Sequence, residues 1–297
     1  MKKLVYFLLF AVAAVFQSCD YVSNPNEAIG SGTGITDSTT SHERVVLVED
    51  YTGHKCTNCP QAAVEANQLI ATYGEKVVVV GVHAGFFALP TTPAGAPAGS
   101  YTADFRTTAG TAYDSPTYFG ISNVGNPNGM INRKDYTPTT TTHVKSYGTW
   151  ATEVAGLLAL PPVADLKITN TYNASTRSIS INTSSQFLMD TMTTGSYSLI
   201  VMITQDSIID WQLDGTTHNP NYVHRHVLRD NVNGTWGEAL TTGTVTPHAS
   251  ITKNYTYTLP SAYLGITCNE NHCHVVAFIY NTANYEVLQA AEAKVVQ

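Results

Sequence analysis

The chain has 297 residues, more than one hydrophobic core usually needs, so two folded domains are the default expectation. Only 12% of residues are charged, the net charge is −7 and no basic cluster stands out, which argues against nucleic acid as a partner. The 17 tyrosines, with abundant Thr, Ser, Asn and Gly, suit a β-rich protein that works outside the cytoplasm.

Lys2-Lys3 opens the chain, and Leu4 to Phe16 is an apolar run too short to span a bilayer as a lasting helix. Gln17-Ser18-Cys19 follows. This resembles a bacterial lipoprotein signal, in which residues 1–18 are removed and Cys19 carries lipid. Phe16 and Gln17 depart from the usual Leu and small residue; an ordinary secretory signal cut near Ser18 is the alternative. Asp20 to Ser41 is rich in Ser, Thr, Gly and Asn and cannot build a core. Residues 19–42 therefore read as a lipidated cysteine and a flexible tether with a reach on the order of 25 Å. With Cys19 assigned to lipid, four of the five cysteines remain, as two close pairs, Cys56 with Cys59 and Cys268 with Cys273. An even count suits an oxidising compartment.

Residues 43–160 read as strand, C-x-x-C, helix, strand. Val45 to Tyr51 is a nearly continuous apolar run, suited to a buried parallel strand. Cys56-Thr57-Asn58-Cys59-Pro60 follows, at the start of a helix-like stretch to Tyr73. A helix N-terminus favours a thiolate over a thiol, which is what redox cysteines need. The same spacing also serves a structural disulfide or half of a zinc site, and no second C-x-x-C is present. Pro60 fits a first helical turn, Ala62, Ala63, Ala66, Leu69 and Ile70 form a core-facing stripe, and Gly74 ends the helix. Val77 to Val82 is the next buried strand, and a right-handed crossover should pair it in parallel with the first.

The segment from Val48 through Asp50 to Cys59 is similar to the active-site strand of thioredoxins. Asp50 lies six residues before Cys56, where that family places a buried acid. Val124-Gly125-Asn126-Pro127 looks like the family's cis-proline approach, with Met130 to Arg133 as the antiparallel strand behind it; a plain turn proline is the alternative. The resemblance implies that Cys56 attacks, Cys59 resolves, Asp50 accepts or relays the Cys59 proton, and Pro127 presents backbone to substrate and keeps metals off the thiols. Lys55 stands where thioredoxins commonly have tryptophan, and its charge would lower the Cys56 pKa. Phe86 to Tyr118 is a long insertion anchored by aromatics, either packed on itself or covering the dithiol. Thr139 to Leu160 has helical spacing and would close the domain before Pro161-Pro162.

Residues 161–297 change texture. Alternating runs at Ala164–Thr171, Ser178–Thr183, Tyr197–Gln205, Asn254–Leu259, His274–Asn281 and Tyr285–Val295 indicate an antiparallel, immunoglobulin-like sandwich. The expected fold class is an α/β thioredoxin-like domain followed by an all-β sandwich. Cys268 and Cys273 should close a small structural disulfide. His224-Arg225-His226 would put two histidines on one strand face, near His218, His272 and His274, yet the spacing matches no strong metal motif, so neither a metal nor another cofactor is expected.

The lipoprotein signal, the Leu47–Cys56 segment, Tyr222 to Asp230, Trp236-Gly237, Val275 to Asn281 and Glu286 to Ala290 together resemble the outer membrane protein twenty-eight family of anaerobic Gram-negative bacteria. The resemblance implies lipid anchoring in the outer membrane, on the periplasmic or cell-surface face. Two functional expectations stand beside a weaker third, a metal-handling lipoprotein using the histidine-rich second domain. One is thiol–disulfide exchange on envelope or extracellular proteins through Cys56 and Cys59. The other is a non-enzymatic adhesin- or receptor-like binding protein whose C-x-x-C is a permanent bond.

Overall fold

A computed structural model describes residues 42–137, 142–189 and 193–297. The signal-like segment, Cys19 and the tether to Ser41 lie outside the described residues. β1 (Val46–Thr52) is buried except at its last residue, and β2 (Val77–His83) is buried throughout. They pair in parallel from Val46–Val77 to Thr52–His83. Between them runs α1 (Cys59–Tyr73), with Pro60 in the first turn, where its missing N–H costs nothing. Gly74, at φ +58, ends the helix in a conformation glycine takes without strain. Ala62, Ala66 and Leu69 pack on Val46, Val48, Val77 and Val79.

α2 (Thr108–Tyr113) lies inside the insertion and α3 (Ile121–Val124) follows it; β3 (Asn128–Ile131), β4 (Lys145–Ser146) and α4 (Trp150–Leu158) complete this half. β3 runs antiparallel to β1 with Gly129 opposite Asp50, and β4 pairs with β3. α4 is the expected closing helix, but it begins at Trp150, because Lys145 and Ser146 are taken up in the sheet.

The second half is β5 (Ala164–Asn173), β6 (Ser178–Phe187), β7 (Thr193–Gln205), β8 (Ile208–Asp214), β9 (Thr217–His224), β10 (Val227–Asn231), β11 (Glu238–Val245), β12 (Ser250–Thr258), β13 (Ala262–Tyr263), β14 (Ile266–Thr267), β15 (Cys273–Asn281) and β16 (Val287–Lys294). The expected strands are all present, several of them longer than their alternating cores. The protein is β-rich, with a mixed sheet and few helices. No described helix is long and apolar enough to cross a membrane.

One large sheet contains strands from both halves, in the order β16-β15-β7-β10-β2-β1-β3-β4, with β11 also on β7. The junction is narrow. β10 meets β2 in parallel at Val227–Gly81, and the Gly81 amide donates to the His226 carbonyl at 2.7 Å. Alternation along β7 then builds two cores. Ile200 and Met202 join Leu47, Tyr51, Val80, Val82, Val276 and Phe278 on one face. Leu199, Val201 and Ile203 turn to the other face, toward the second sheet, β12-β6-β5. Residues 42–297 form one compact unit.

A buried ion pair sits in the first of these cores. Arg133 (0% exposed) donates twice to Glu49 (1% exposed), at 2.7 Å each. The guanidinium lies 4.4 Å from the Tyr113 ring centroid and 4.8 Å from that of Phe278, so it is held by both halves of the chain.

Candidate functional site

The loop from Gly53 to Asn58 carries the end of β1 into α1. Cys56 and Cys59 are disulfide-bonded, with Cα atoms 5.4 Å apart, and Cys59 is the first residue of the helix. On β1, Asp50 is buried and its Oδ1 has no hydrogen-bond partner. Burial pushes its carboxyl up to about 7. The Asn126–Pro127 peptide bond is cis, as the sequence suggested, and Pro127 directly precedes β3, which pairs with β1 at Tyr51 and Asp50.

Both cysteines are closed off. Each is 2% exposed, while the two residues between them, Thr57 and Asn58, face solvent. The cover is the β8–β9 hairpin. Gln212, 2% exposed, donates from Nε2 to the Cys56 carbonyl at 3.0 Å and the Gly53 carbonyl at 3.4 Å. The Leu213 amide donates to His54 O at 2.8 Å and the Gly215 amide to Thr57 O at 3.0 Å, and the Thr57 hydroxyl donates to Gly215 O. The insertion holds the other flank. The Lys55 amide donates to Phe87 O at 3.1 Å, and Lys55 Nζ donates to Thr91 Oγ1 at 2.8 Å. A Cβ at position 53 would lie 2.4 Å from the Phe87 carbonyl carbon, so this close approach requires Gly53.

A cluster of rings fills the space around this loop. Phe105 lies with its ring centroid 4.8 Å from both His83 and His224, and His54 lies 5.5 Å from Tyr101. Tyr101 Oη and His218 Nδ1 are 2.6 Å apart. Burial holds the histidines neutral: His224 is pushed down to about 3, His83 well below its usual value, and His54 is lowered too. The His224-Arg225-His226 pair does not share a strand face. β9 ends at His224, His226 takes φ +54, and β10 starts at Val227, so His224 turns to the ring cluster while His226 turns to Asp206. Among the described residues, no group of His, Cys, Asp and Glu side chains is placed to hold a metal ion.

Cys268 and Cys273 lie buried as thiols with Sγ atoms 3.6 Å apart. A hydrogen bond with Cys273, with Arg177 and Arg229 nearby, pulls the Cys268 thiol below its ordinary value. The expected disulfide between them remains a proposal, tested below. Sequence reasoning singled out Cys56, Cys59, Asp50 and Pro127 as candidates and Phe105 as an aromatic anchor of the insertion, and did not single out Gln212 or His83. The signal for the hairpin was present in Asp214-Gly215, a turn dipeptide between strand-like runs, with Gly215 at φ +58.

Fold and site together define a β-rich, disulfide-containing protein whose C-x-x-C opens a helix beneath a hairpin. Residues 112–297 match the family described as outer membrane protein Omp28. The chain belongs to this family and is a protein of the outer membrane. The matched residues begin after Cys59, so the family match does not itself cover the disulfide. HBP35 of Porphyromonas gingivalis is similar in fold, with a TM-score of 0.61 at 16% identity, over 86% of this chain and 76% of that one. A domain of the outer membrane lipoprotein Omp28 from Porphyromonas gingivalis gives a TM-score of 0.32 at 21% identity, over 46% of this chain and 89% of the other. No curated protein sequence is significantly similar to the chain.

Proposed function

We propose that this protein, lipid-anchored to the outer membrane through Cys19, carries out thiol–disulfide exchange on envelope or extracellular proteins. Residues 43–160 act as a thioredoxin-like module in this reading, and 161–297 as a sandwich that contributes strands and a cover to it. The observation that carries the reading is a disulfide at the N-terminus of α1 with a buried carboxyl, Asp50, on the strand leading into it. Cys56 attacks and Cys59 resolves; Asp50 exchanges the Cys59 proton; Pro127 lies at the start of the strand beside β1. Because both sulfurs are covered, exchange requires the β8–β9 hairpin to move aside. Partners of the reaction are proteins with accessible cysteines; no cofactor is needed for it.

The burial of both cysteines also favours a second reading, a non-enzymatic surface binding protein in which Cys56–Cys59 is a staple. One experiment separates the two. The reduction potential of Cys56–Cys59 is measured in the full-length protein in detergent, by thiol trapping in defined redox buffers, with Cys268 and Cys273 followed separately by peptide mass. A value of roughly −120 to −270 mV supports exchange, and one below about −300 mV makes the bond structural. Turnover that persists in Cys56→Ser would also remove the exchange reading.

A further inference from the structure

Exchange at a covered disulfide raises the question of where its protons go. Asp50 is 6% exposed, and the loop that follows β1 is strapped under β8–β9. Beside Asp50 lies a cavity of about 40 Å³, with room for at least one water, whose polar lining is Asp50, Asn67, Tyr222, Arg225 and His226. A second, wider groove of about 830 Å³ is lined by Asp206, His226, His274 and Glu292 at its charged end. His226 is the one residue that lines both.

The backbone fixes this arrangement. Asp50 is opposite Gly81, and the Gly81 amide donates to His226 O, so one strand separates the carboxyl from the turn that carries the imidazole. On the groove side, His226 Nδ1 is 3.5 Å from Asp206 Oδ1, and the His226 amide donates to the same oxygen at 2.6 Å. His274 Nδ1 is 3.9 Å from Asp206 Oδ2. His226 Nε2 and Asp50 Oδ1 are both buried without a protein hydrogen-bond partner. The titratable groups that share the cavity or the groove with His226 are Asp206, His274 on β15, Glu292 and Lys294 on β16, Glu43 before β1, Glu75 and Lys76 before β2, Arg225 beside it, and Tyr222 and Asp50 at the cavity. Burial lowers His226, an effect opposed by Asp206, and raises Glu292 to about 7, the same range to which burial raises Asp50.

We propose that His226 is a proton relay, passing protons between the cavity at Asp50 and the groove at Asp206, His274 and Glu292 during exchange at Cys56–Cys59. The proposal rests on the exchange reading above. In the reducing direction, the thiolate of an incoming dithiol attacks Cys56 Sγ. The Cys56–Cys59 bond breaks, and Cys59 leaves with the electron pair. The Asp50 carboxyl gives that thiolate its proton. A cavity water reprotonates Asp50 and is itself reprotonated by the His226 imidazolium, which recharges from the groove. The dithiol's second thiolate then closes its own disulfide and releases Cys56 as a thiolate. The dithiol is oxidised, and the protein pair is reduced.

The test follows reduction of Cys56–Cys59 by dithiothreitol across about pH 5–9 in the full-length protein, in His226→Asn and in Asp206→Asn, with thermal unfolding and reduction potential as controls. Asparagine tolerates the φ of +54 at position 226. His226→Asn should slow reduction by about tenfold or more, leave the potential unchanged and recover rate with added imidazole. Asp206→Asn, which keeps the ring, should move the midpoint of the rate profile to lower pH. If the wild-type protein exchanges and both variants keep its rate and profile, the relay is wrong and exchange stands. If the wild-type pair does not exchange at all, both readings fall. Should His226→Asn not fold, the Asp206→Asn profile decides.

Discussion

Glu49 and Arg133 face each other with almost no solvent between them, and Arg133 Nη1 has no further partner. Removing one charge of such a pair leaves the other buried and uncompensated. Glu49→Gln should therefore cost about 3–5 kcal/mol in urea unfolding; a loss under about 1 kcal/mol would mean that the surrounding rings alone hold the guanidinium. Cys268 and Cys273 make a second residue-scale case. Their sulfurs need only close from 3.6 Å to a bond. Unreduced protein from an oxidising compartment should carry this disulfide as well as Cys56–Cys59, and peptide mass showing two free thiols there would rule it out. At this scale the sequence was most legible where partners are close in the chain. Cys56, Cys59 and Asp50 fall within ten residues. Gln212 acts on Cys56 across 156 positions, which no local pattern encodes.

The β8–β9 hairpin is bonded to the loop that carries the disulfide. Its bonds to residues 53–57 are main-chain and amide contacts together with the Thr57 hydroxyl, and an ordinary hydrogen bond of this kind is worth about 0.5–1.5 kcal/mol. Gln212→Ala removes the amide that reaches two loop carbonyls. The expected result is easier opening by about 1–2 kcal/mol, seen as a roughly 5- to 30-fold faster reduction of Cys56–Cys59 by a small phosphine. An unchanged rate would show that the hairpin does not gate the bond. The hairpin escaped the strand pattern because, apart from Ile208 at its start, its buried positions are polar or aromatic, Gln212 and His224, rather than aliphatic. α1, β1 and β2 were legible for the opposite reason: their apolar periodicity is nearly uninterrupted.

For the whole molecule, buried titrating groups set how stability responds to pH. His54, His83 and His224 are depressed in the fold, so their contribution is present above about pH 6.5 and is lost as pH falls and the unfolded chain takes up protons. Asp50 and Glu292 are raised to about 7, so theirs is present below about pH 4 and is lost as pH rises toward 7. Between those limits three histidines oppose two carboxyls, and His226 and His274 add to the histidine side. The melting temperature should fall on acidification from pH 6.5 to 5 and stay nearly level from 7 to 8. A rise over the acid range would contradict this balance. The shared sheet predicts one cooperative unfolding transition for residues 42–297, since Ile200, Phe278 and Leu47 belong to one core.

By itself, the sequence determined the strand–helix–strand around Cys56–Cys59 and the β-rich second half, because each depends on local periodicity or short spacing; the buried acid at Asp50 and the family came from its resemblance to known proteins. Only the tertiary structure decided that β10 docks beside β2 to make one sheet of both halves, that a distant hairpin covers the disulfide, and that His226 stands between Asp50 and an open groove. Those contacts join residues more than a hundred positions apart. They are chosen by which surfaces remain to be buried once the local elements have formed.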